Sequence, residues 1–440
     1  MNARRNLRPV DADVSRLAAD LRAQWAKRDI ETMASEAARN VSAGNATDWG
    51  MTTNIQSELE PIVLGGGIPA PETLPRKALM EAMDRALATE ERDDGPLRYG
   101  GAYGYEPLRD LLAQRYTRDR GFEVTADWFM LSNGSAGAID QVCATFIQPG
   151  DVVISEAPTF SGTTRTFRGH QAEIVTVSMD DDGMRVDELE PLIQSLQRQG
   201  KKIKFIYTIS NFHNPMGVTL TLERRVELLK VAAKYGIFVL DDDAYGELYF
   251  EGVHHPPALS ALSQCEGVIS VGTFSKIIAT GLRVGWIHAT PNVIEQLVRM
   301  RFEMGNSPLL HRMLFEFSKD GALDAHINKV RAIYQRKADL IAAGLREFCE
   351  PYVSFRRPNG GFFLWVDLLG GLNGGEVQQQ AIIEGLVAAA GYGFFPDRVD
   401  TGNHIRLAYS WVPEDELREA ARRLAIACAK VAEREALPKK

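Results

Sequence analysis

From about residue 128 onward, short β-branched or aromatic runs alternate with stretches of helical periodicity. Helical patterns follow Ser135 and Phe160, lie around 187–198 and span 221–235. Strands that alternate with helices are typical of a mostly parallel sheet with helices on its faces. The pattern therefore predicts an α/β fold, with strands at 128–132, 152–155, 173–178, 203–209, 237–241, 268–272 and 284–289.

The length of 440 residues predicts more than one domain, because single hydrophobic cores stop growing near ~250–300 residues. The spacing of Val14, Leu17, Leu21 and Trp25 predicts an amphipathic N-terminal helix. The polar stretch 36–55 that follows is typical of a linker or an arm. We expect an N-terminal helix and arm over 1–60, a segment over 61–95 that leads into the large domain and contributes to the small one, a large domain over 96–330 and a small C-terminal domain over 331–440.

The small domain is expected to be an α+β unit. A long helix is predicted at about 323–348, strands at 362–366 and 405–409, and a closing helix at 414–435.

Charge and cysteine usage exclude several classes of protein. The formal net charge of -8 and the pI of about 5.6 argue against a dominant nucleic-acid surface and against polybasic membrane anchoring. No apolar run reaches the ~18–20 residues that a membrane helix needs, and no apolar signal core follows the N-terminus. The cysteines lie far apart without a CxxC pair, which is typical of a reducing compartment: Cys143, Cys265, Cys349 and Cys428. We therefore expect a cytoplasmic protein that binds neither nucleic acid nor membrane.

The loop at 272–283 brings together hydroxyls, an amine and a guanidinium directly after the β-branched run 268–271. Ligands favour such strand ends in open α/β sheets. One potential nucleophilic amine among several phosphate partners suits a phosphorylated aldehyde cofactor. The side chains concerned are Thr273, Ser275, Lys276 and Arg283.

Three more strand ends carry polar groups, at 132–138, 211–217 and 239–245. The first opens a helix, so its amides are expected to face an anion. The last contains three consecutive aspartates, Asp241, Asp242 and Asp243. Because no histidine lies nearby at ligand spacing, we predict no metal site there.

These motifs, in this order and spacing, resemble the class I and II aminotransferases, which are fold-type I enzymes that use pyridoxal 5′-phosphate (PLP). Within them the chain resembles the branch that includes the 2-aminoadipate aminotransferases. The resemblance runs from about Ile62 to near the C-terminus. It implies a mostly parallel seven-stranded sheet in a large PLP-binding domain, a smaller α+β domain, and a homodimer with shared active sites.

The resemblance also implies transfer of an amino group from an α-amino acid to a 2-oxo acid, through a Lys276 aldimine and a pyridoxamine intermediate. Lys276 then becomes the base that moves the proton. Asp242 resembles the carboxylate that keeps the pyridine nitrogen protonated, although chemistry alone leaves Asp241 and Asp243 open. Asn214 and Tyr245 resemble the donors to the phenolate oxygen of the cofactor.

The remaining cofactor contacts follow from the same resemblance. Phe160 takes the position of an aromatic ring stacked on the pyridine, with a core aromatic as the alternative. Tyr99 takes the position of a tyrosine that reaches the phosphate of the other subunit, with Tyr103 and Tyr105 as rivals. The phosphate would be held by Ser135, the Ala136 amide, Thr273, Ser275 and Arg283.

Arg406 resembles the arginine that binds the α-carboxylate of the substrate, assisted by the backbone around Gly67 and by Asn214. A lone arginine inside an apolar strand is costly to bury without a partner, so an internal salt bridge is the alternative.

Two other functions fit the same residues. The first is a different PLP-dependent reaction on this fold, by an oxidase, a β- or γ-lyase or a racemase. The second is an aminotransferase-like transcription regulator, which needs a basic N-terminal DNA-binding module that residues 1–60 do not resemble.

Overall fold

The computed structural model describes residues 12–41, 57–88, 95–400 and 403–436. Most of the predicted arm at 36–55 and the end of the segment 61–95 lie outside these residues. The α-helices are α1 Ala12–Trp25, α2 Ile30–Met33, α3 Glu36–Asn40, α4 Arg76–Ala88, α5 Glu106–Arg120, α6 Gly134–Phe146, α7 Ser161–Gly169, α8 Leu189–Arg198, α9 Leu222–Tyr235, α10 Leu259–Leu262, α11 Phe274–Ile277, α12 Pro291–Arg299, α13 Pro308–Ser318, α14 Ala322–Phe348, α15 Gly374–Ile383 and α16 Leu417–Ala436.

Short 3₁₀ turns join several of these helices and strands, at Pro71–Thr73, Gly95–Leu97, Ala126–Trp128, Val186–Glu188, Gly246–Leu248, Thr280–Leu282, Lys319–Gly321 and Gly391–Phe394. The strands are β1 Ile62–Val63, β2 Phe129–Ser132, β3 Val152–Ala157, β4 Glu173–Asp180, β5 Gly183–Met184, β6 Ile203–Thr208, β7 Phe238–Asp242, β8 Val268–Thr273, β9 Gly285–His288, β10 Val353–Phe355, β11 Phe363–Leu368, β12 Leu386–Val387, β13 Ala389–Ala390 and β14 His404–Ala408.

The large sheet contains all seven predicted strands, in the order β2-β9-β8-β7-β6-β3-β4-β5. Four of its seven strand pairings are parallel, and β9 runs antiparallel to both of its neighbours. The eighth strand, β5, forms a short hairpin with β4. A two-residue strand is too short for periodicity to reveal, so the sequence did not predict it.

The central strands are buried on both faces of the sheet. All six residues of β8 are buried, as are the first five of β3. Alternate residues contribute to two hydrophobic clusters: Leu240 belongs to one and Val239 to the other. Because successive side chains point to opposite faces of a strand, these clusters lie on opposite sides of the sheet.

The C-terminal part forms a second, antiparallel sheet in the order β10-β11-β14-β13, and β1 pairs with β12 in parallel. The 27-residue helix α14 leads into it and matches the predicted long helix. The predicted boundary at 330 falls inside α14. We therefore propose that α14 is shared by the two domains and that the segment 61–95 joins the small domain through β1.

The apolar side chains of Leu17, Leu21 and Trp25 on α1 are exposed in the single chain, and α3 packs on α7. None of the helices in the described ranges combines the length and apolarity that a bilayer crossing requires.

Gly285 on β9 allows β8 and the start of α6 to approach closely. A Cβ atom at this position would lie 2.6 Å from the Gly272 carbonyl oxygen and 2.7 Å from the Gly134 carbonyl carbon, and both are backbone atoms. We predict that Gly285→Ala lowers the free energy of unfolding by about 1–3 kcal/mol, as overpacking does elsewhere. Urea denaturation measures the change. Gly281→Ala is the matched control, because nothing lies within 4 Å of its Cβ position, and equal midpoints for the two variants would contradict the prediction.

Candidate active site

The site forms where the carboxyl ends of parallel strands meet. Strands β6, β7 and β8 are hydrogen-bonded neighbours, and they are followed by the segments that carry Asn214, Tyr245 and Lys276. Helix α6 starts directly after β2 and carries Ser135 and Ala136. The parallel order of β6, β7 and β8 thus places their polar ends at one edge of the sheet.

Lys276 lies in the one-turn helix α11 and is partly buried. Its Nζ donates a hydrogen bond of 2.7 Å to the carbonyl oxygen of Gly67 and lies 5.8 Å from the centre of the Tyr245 ring. Burial of the amine lowers the pKa of Lys276 to about 8, against the opposing effect of Asp242. A larger fraction of this amine is therefore neutral near physiological pH than for a surface lysine.

The three aspartates point to different surroundings. Asp241 accepts a 2.6 Å hydrogen bond from Ser210, and Asp243 accepts a 2.7 Å hydrogen bond from Asn211. Side chains of β7 alternate between the two faces of the sheet, so Asp242 lies on the same face as Leu240, which belongs to the larger cluster. The Asp242 carboxylate therefore lies on the opposite face from Asp241. The geometry thus separates three residues that chemistry alone did not.

Asp242 keeps one carboxylate oxygen without a partner. Its Oδ2 accepts a 3.0 Å hydrogen bond from the Tyr207 hydroxyl, which also lies 3.1 Å from Thr163 Oγ1. Its Oδ1 is buried and has no hydrogen-bond partner within the described part of the chain. Burial raises the pKa of Asp242 to about 7, although the Tyr207 hydroxyl lowers it. Tyr207 was not predicted, because it stands in the apolar run of β6 and reads as core.

An anion cradle is defined here by the start of α6 and by Arg283. Gly134 adopts a φ of +69°, and a Cβ there would lie 3.0 Å from Arg283 Nη2. Arg283 donates to the Asn133 carbonyl oxygen at 3.3 Å and to Ser275 Oγ at 3.4 Å. The amides that begin α6 have no earlier turn to pair with, so this end attracts negative charge.

The predicted phosphate residues fall in or beside this cradle. Thr273 caps α11 by accepting a 3.1 Å hydrogen bond from the Ser275 amide, which fixes the Thr273 hydroxyl against the backbone of Ser275. Ser135 and Ala136 lie in the first turn of α6.

Arg406 on β14 is 7% exposed. It donates to Asn214 Oδ1 at 2.9 Å and to the Gly65 carbonyl oxygen, and its Nε has no partner among the described residues. The rings of Phe363 and Phe394 each lie 4.6 Å from its Cζ. Burial lowers the pKa of Arg406 to about 10.

The described residues contain no ion pair to Arg406, so an internal salt bridge does not explain this buried charge. Its partners are neutral oxygens, and its positive charge remains available to a carboxylate.

Phe160 and Tyr99 are the two predicted aromatic residues of the cofactor site. Phe160 precedes α7 and is partly buried, and the Thr159 amide donates at 2.8 Å to the Phe394 carbonyl oxygen. Tyr99 is 86% exposed. Its rivals pack within their own chain, since Tyr105 contacts Phe315 and Tyr103 contacts Arg109.

The residues present fit PLP. An amine of lowered pKa would take the aldehyde, the unpaired Asp242 Oδ1 would face a pyridinium, and the cradle at Gly134 would take a phosphate. No group of three His, Cys, Asp or Glu side chains in the described ranges is arranged as a metal site.

The buried Asp242 carboxylate has a consequence for stability. Its folded pKa lies above that of an unfolded aspartate, so the folded protein holds this proton more tightly. The stability from this group is fully present below the unfolded pKa near ~4 and is lost as the pH rises to the folded value. We predict that Asp242→Asn raises the cofactor-free protein's unfolding free energy at pH 8 by about 2 kcal/mol, and has a smaller effect at pH 4.

Denaturant unfolding at the two pH values measures this difference. Asp84→Asn changes an exposed aspartate and serves as the control. An Asp242→Asn protein that is less stable than the unchanged protein at pH 8 would contradict the prediction.

Known proteins resemble this chain over most of its length. The family described as aminotransferase class I and II matches residues 61–424. Aromatic-amino-acid aminotransferase 1 of Thermococcus litoralis is 36% identical over 366 residues, covering 83% of this chain and 87% of the relative. The 2-aminoadipate transaminase of Thermus thermophilus is 32% identical over 364 residues, covering 82% of this chain and 88% of the relative.

A solved structure agrees with the sequence comparisons. The α-aminoadipate aminotransferase LysN from Thermus thermophilus, complexed with N-(5′-phosphopyridoxyl)-L-leucine, superimposes with a TM-score of 0.82 at 29% identity. The match covers 92% of this chain and 100% of LysN. The chain therefore belongs to the class I and II aminotransferases, and it is a fold-type I, PLP-dependent aminotransferase.

Proposed function

We propose that Lys276 binds the cofactor covalently and carries the proton of the transamination, with Asp242 and Tyr245 as its partners. The observation that supports this most directly is the amine of Lys276, whose pKa is lowered to about 8, at the same sheet edge as a buried carboxylate with one unpaired oxygen. A lysine needs a lowered pKa to act as a nucleophile near neutral pH.

When bound, PLP supplies an aldehyde carbon and a ring that withdraws electrons from the substrate Cα. Asp242 Oδ1 would hold a proton at the ring nitrogen, while Tyr207 holds the other oxygen at 3.0 Å. Asn214 and Tyr245 would donate to the phenolate oxygen. Phe160 would cover the ring face, and the phosphate would be held by Ser135, the Ala136 amide, Thr273, Ser275 and Arg283.

The carboxylate of the amino acid would bind Arg406, assisted by Asn214 and the backbone around Gly67. This contact would fix the orientation of Cα, so that the Cα hydrogen rather than the carboxylate is presented for cleavage. Lys276 Nζ, once freed by the amino group of the substrate, would then act as the base that takes the Cα proton and as the acid that returns it. Holding the substrate carboxylate at Arg406 in this way would favour transamination over decarboxylation.

Amino acids with large side chains are the substrates that we infer. The relatives described above are named for aromatic amino acids and for 2-aminoadipate. The rings of Phe363 and Phe394 beside Arg406 provide apolar walls at the carboxylate site.

A homodimer with shared sites is the proposed assembly. Tyr99 and Leu97 are 86% and 72% exposed, and Phe302 is 81% exposed. Their loops touch, because Arg301 donates at 2.7 Å to the Ala102 carbonyl oxygen. Neighbouring exposed apolar side chains are typical of an interface, and a partner there would receive Tyr99.

We also propose a cytoplasmic location without nucleic-acid or membrane partners. This is supported by the net charge of -8 and by unpaired, buried cysteines at positions Cys143, Cys265, Cys349 and Cys428.

Reaction type is tested by measuring 2-oxo acid formation from a panel of amino acids, with and without a 2-oxo acid acceptor. We predict turnover only with the acceptor and without hydrogen peroxide. Lys276→Ala should lower kcat by about 10²–10⁴-fold or more, since about 10²–10⁴-fold is the usual contribution of general acid–base catalysis alone. Turnover without an acceptor would indicate an oxidase or a lyase and would contradict the proposal.

Shared sites are tested by mixing two variants. Tyr99→Ala and Lys276→Ala homodimers should each have low activity, whereas a mixed dimer restores one complete site. Refolding an equal mixture should recover about a quarter of wild-type activity, because about half of the dimers are mixed and each has one intact site. Recovery no greater than the mean of the two separate variants would contradict shared sites.

A further inference from the structure

A second buried carboxylate lies near the site and has no part in the proposed chemistry. Glu156 stands near the end of β3 and is 1% exposed. Its Oε2 accepts a 2.9 Å hydrogen bond from Thr208 Oγ1, and its Oε1 accepts a 2.6 Å hydrogen bond from the Ile209 amide. His213 Nε2 lies 2.9 Å from the same Oε1, a close contact outside hydrogen-bond geometry. A carboxylate buried so deeply is retained only where several groups stabilise it.

His213 is fully buried and has its two ring nitrogens in different roles. Its Nδ1 accepts a 3.3 Å hydrogen bond from the Met216 amide, so in the neutral ring the hydrogen is on Nε2, which faces Glu156. The backbone of His213 bonds to Val218 and Gly217. The turn is thereby closed on itself, and the imidazole connects it to β3.

The residue after His213 is Asn214, which contacts both halves of the site. Asn214 Oδ1 accepts a hydrogen bond from Arg406, and the Asn214 side chain lies beside the Tyr245 hydroxyl. A displacement of the turn would therefore move the group that aligns the guanidinium of Arg406.

We propose that Glu156 and His213 form a positioning pair, which holds the turn at Asn214 so that Arg406 is aligned for the substrate carboxylate. The inference rests on the proposed role of Arg406. Neither residue of the pair needs to touch the substrate or the cofactor. Its effect is expected in substrate binding more than in the proton transfer at Lys276.

Thr208 provides a matched comparison. It is 1% exposed and donates to the same carboxylate that His213 contacts, but it belongs to β6 and not to the Asn214 turn. Loss of either contact with Glu156 should affect folding similarly. Only loss of the His213 contact should change the alignment of Arg406 and weaken binding of the substrate carboxylate.

The two nitrogens of His213 can be tested separately. In His213→Asn the side-chain oxygen lies near the position of Nδ1 and can still accept from Met216, but the side chain is too short to reach Glu156. In His213→Gln the terminal amide lies near the position of Nε2 and can donate to Glu156. Thr208→Val serves as the control.

The measurement is the dissociation constant of α-methylphenylalanine, which has no Cα hydrogen and so binds without transamination. Binding to the PLP-loaded protein is followed by the visible spectrum, alongside kcat and KM for phenylalanine and the thermal midpoint. We expect His213→Asn to raise the dissociation constant and KM about tenfold, with a much smaller change in kcat. His213→Gln and Thr208→Val should stay within about threefold of wild type.

Two results would overturn the inference: equal weakening by His213→Asn and Thr208→Val, or weakening by His213→Gln as large as that by His213→Asn. If His213→Asn does not fold, the comparison of His213→Gln with Thr208→Val remains decisive, because weakening confined to His213→Gln contradicts the pair. The absence of any spectral response in the unchanged protein would instead contradict the proposed binding of amino acids with large side chains at Arg406.

Discussion

The buried carboxylate of Asp242, with one oxygen held by Tyr207 and the other unpaired, is the constraint on which the rest of the site depends. An unsatisfied charged oxygen in a protein interior is costly, and burial accordingly raises the pKa of Asp242 to about 7. Such a group is stable where a bound cation offsets the free-energy cost of burying it. A protonated ring nitrogen of PLP is a cation of the required kind.

The surrounding fold makes this arrangement possible. Only a sheet with neighbouring parallel strands brings the ends of β6, β7 and β8 to one edge, where Asn214, Tyr245 and Lys276 follow them. Gly285 and Gly134 then allow the start of α6 to lie against β9, close to Arg283. The small sheet adds Arg406 from β14, linked back to the large sheet through Asn214. The cofactor and substrate contacts thus come from parts of the chain that are far apart in sequence.

Much of this was predictable from local patterns. Strand runs and polar strand ends depend on residues near each other in sequence, so the seven strands, the helix α14 and the loop of Lys276 were predicted within a few residues. The choice among Asp241, Asp242 and Asp243 could not be made from local patterns, because it depends on the face of β7 on which each side chain lies. Tyr207 and the contact between Glu156 and His213 were missed for a similar reason. In the sequence these residues are typical of a core or a loop, and their contacts become evident only once the pairing of β3, β6 and β7 is known.

The attachment point of the cofactor is the central claim, and borohydride reduction tests it directly. The PLP-loaded protein is reduced, digested and mapped by mass spectrometry, so that a phosphopyridoxyl group marks the lysine that held the aldehyde. We predict that the group is found on the peptide containing Lys276 and on no other lysine, including the fully buried Lys337. A label on a different lysine, with Lys276 unmodified, would contradict the account.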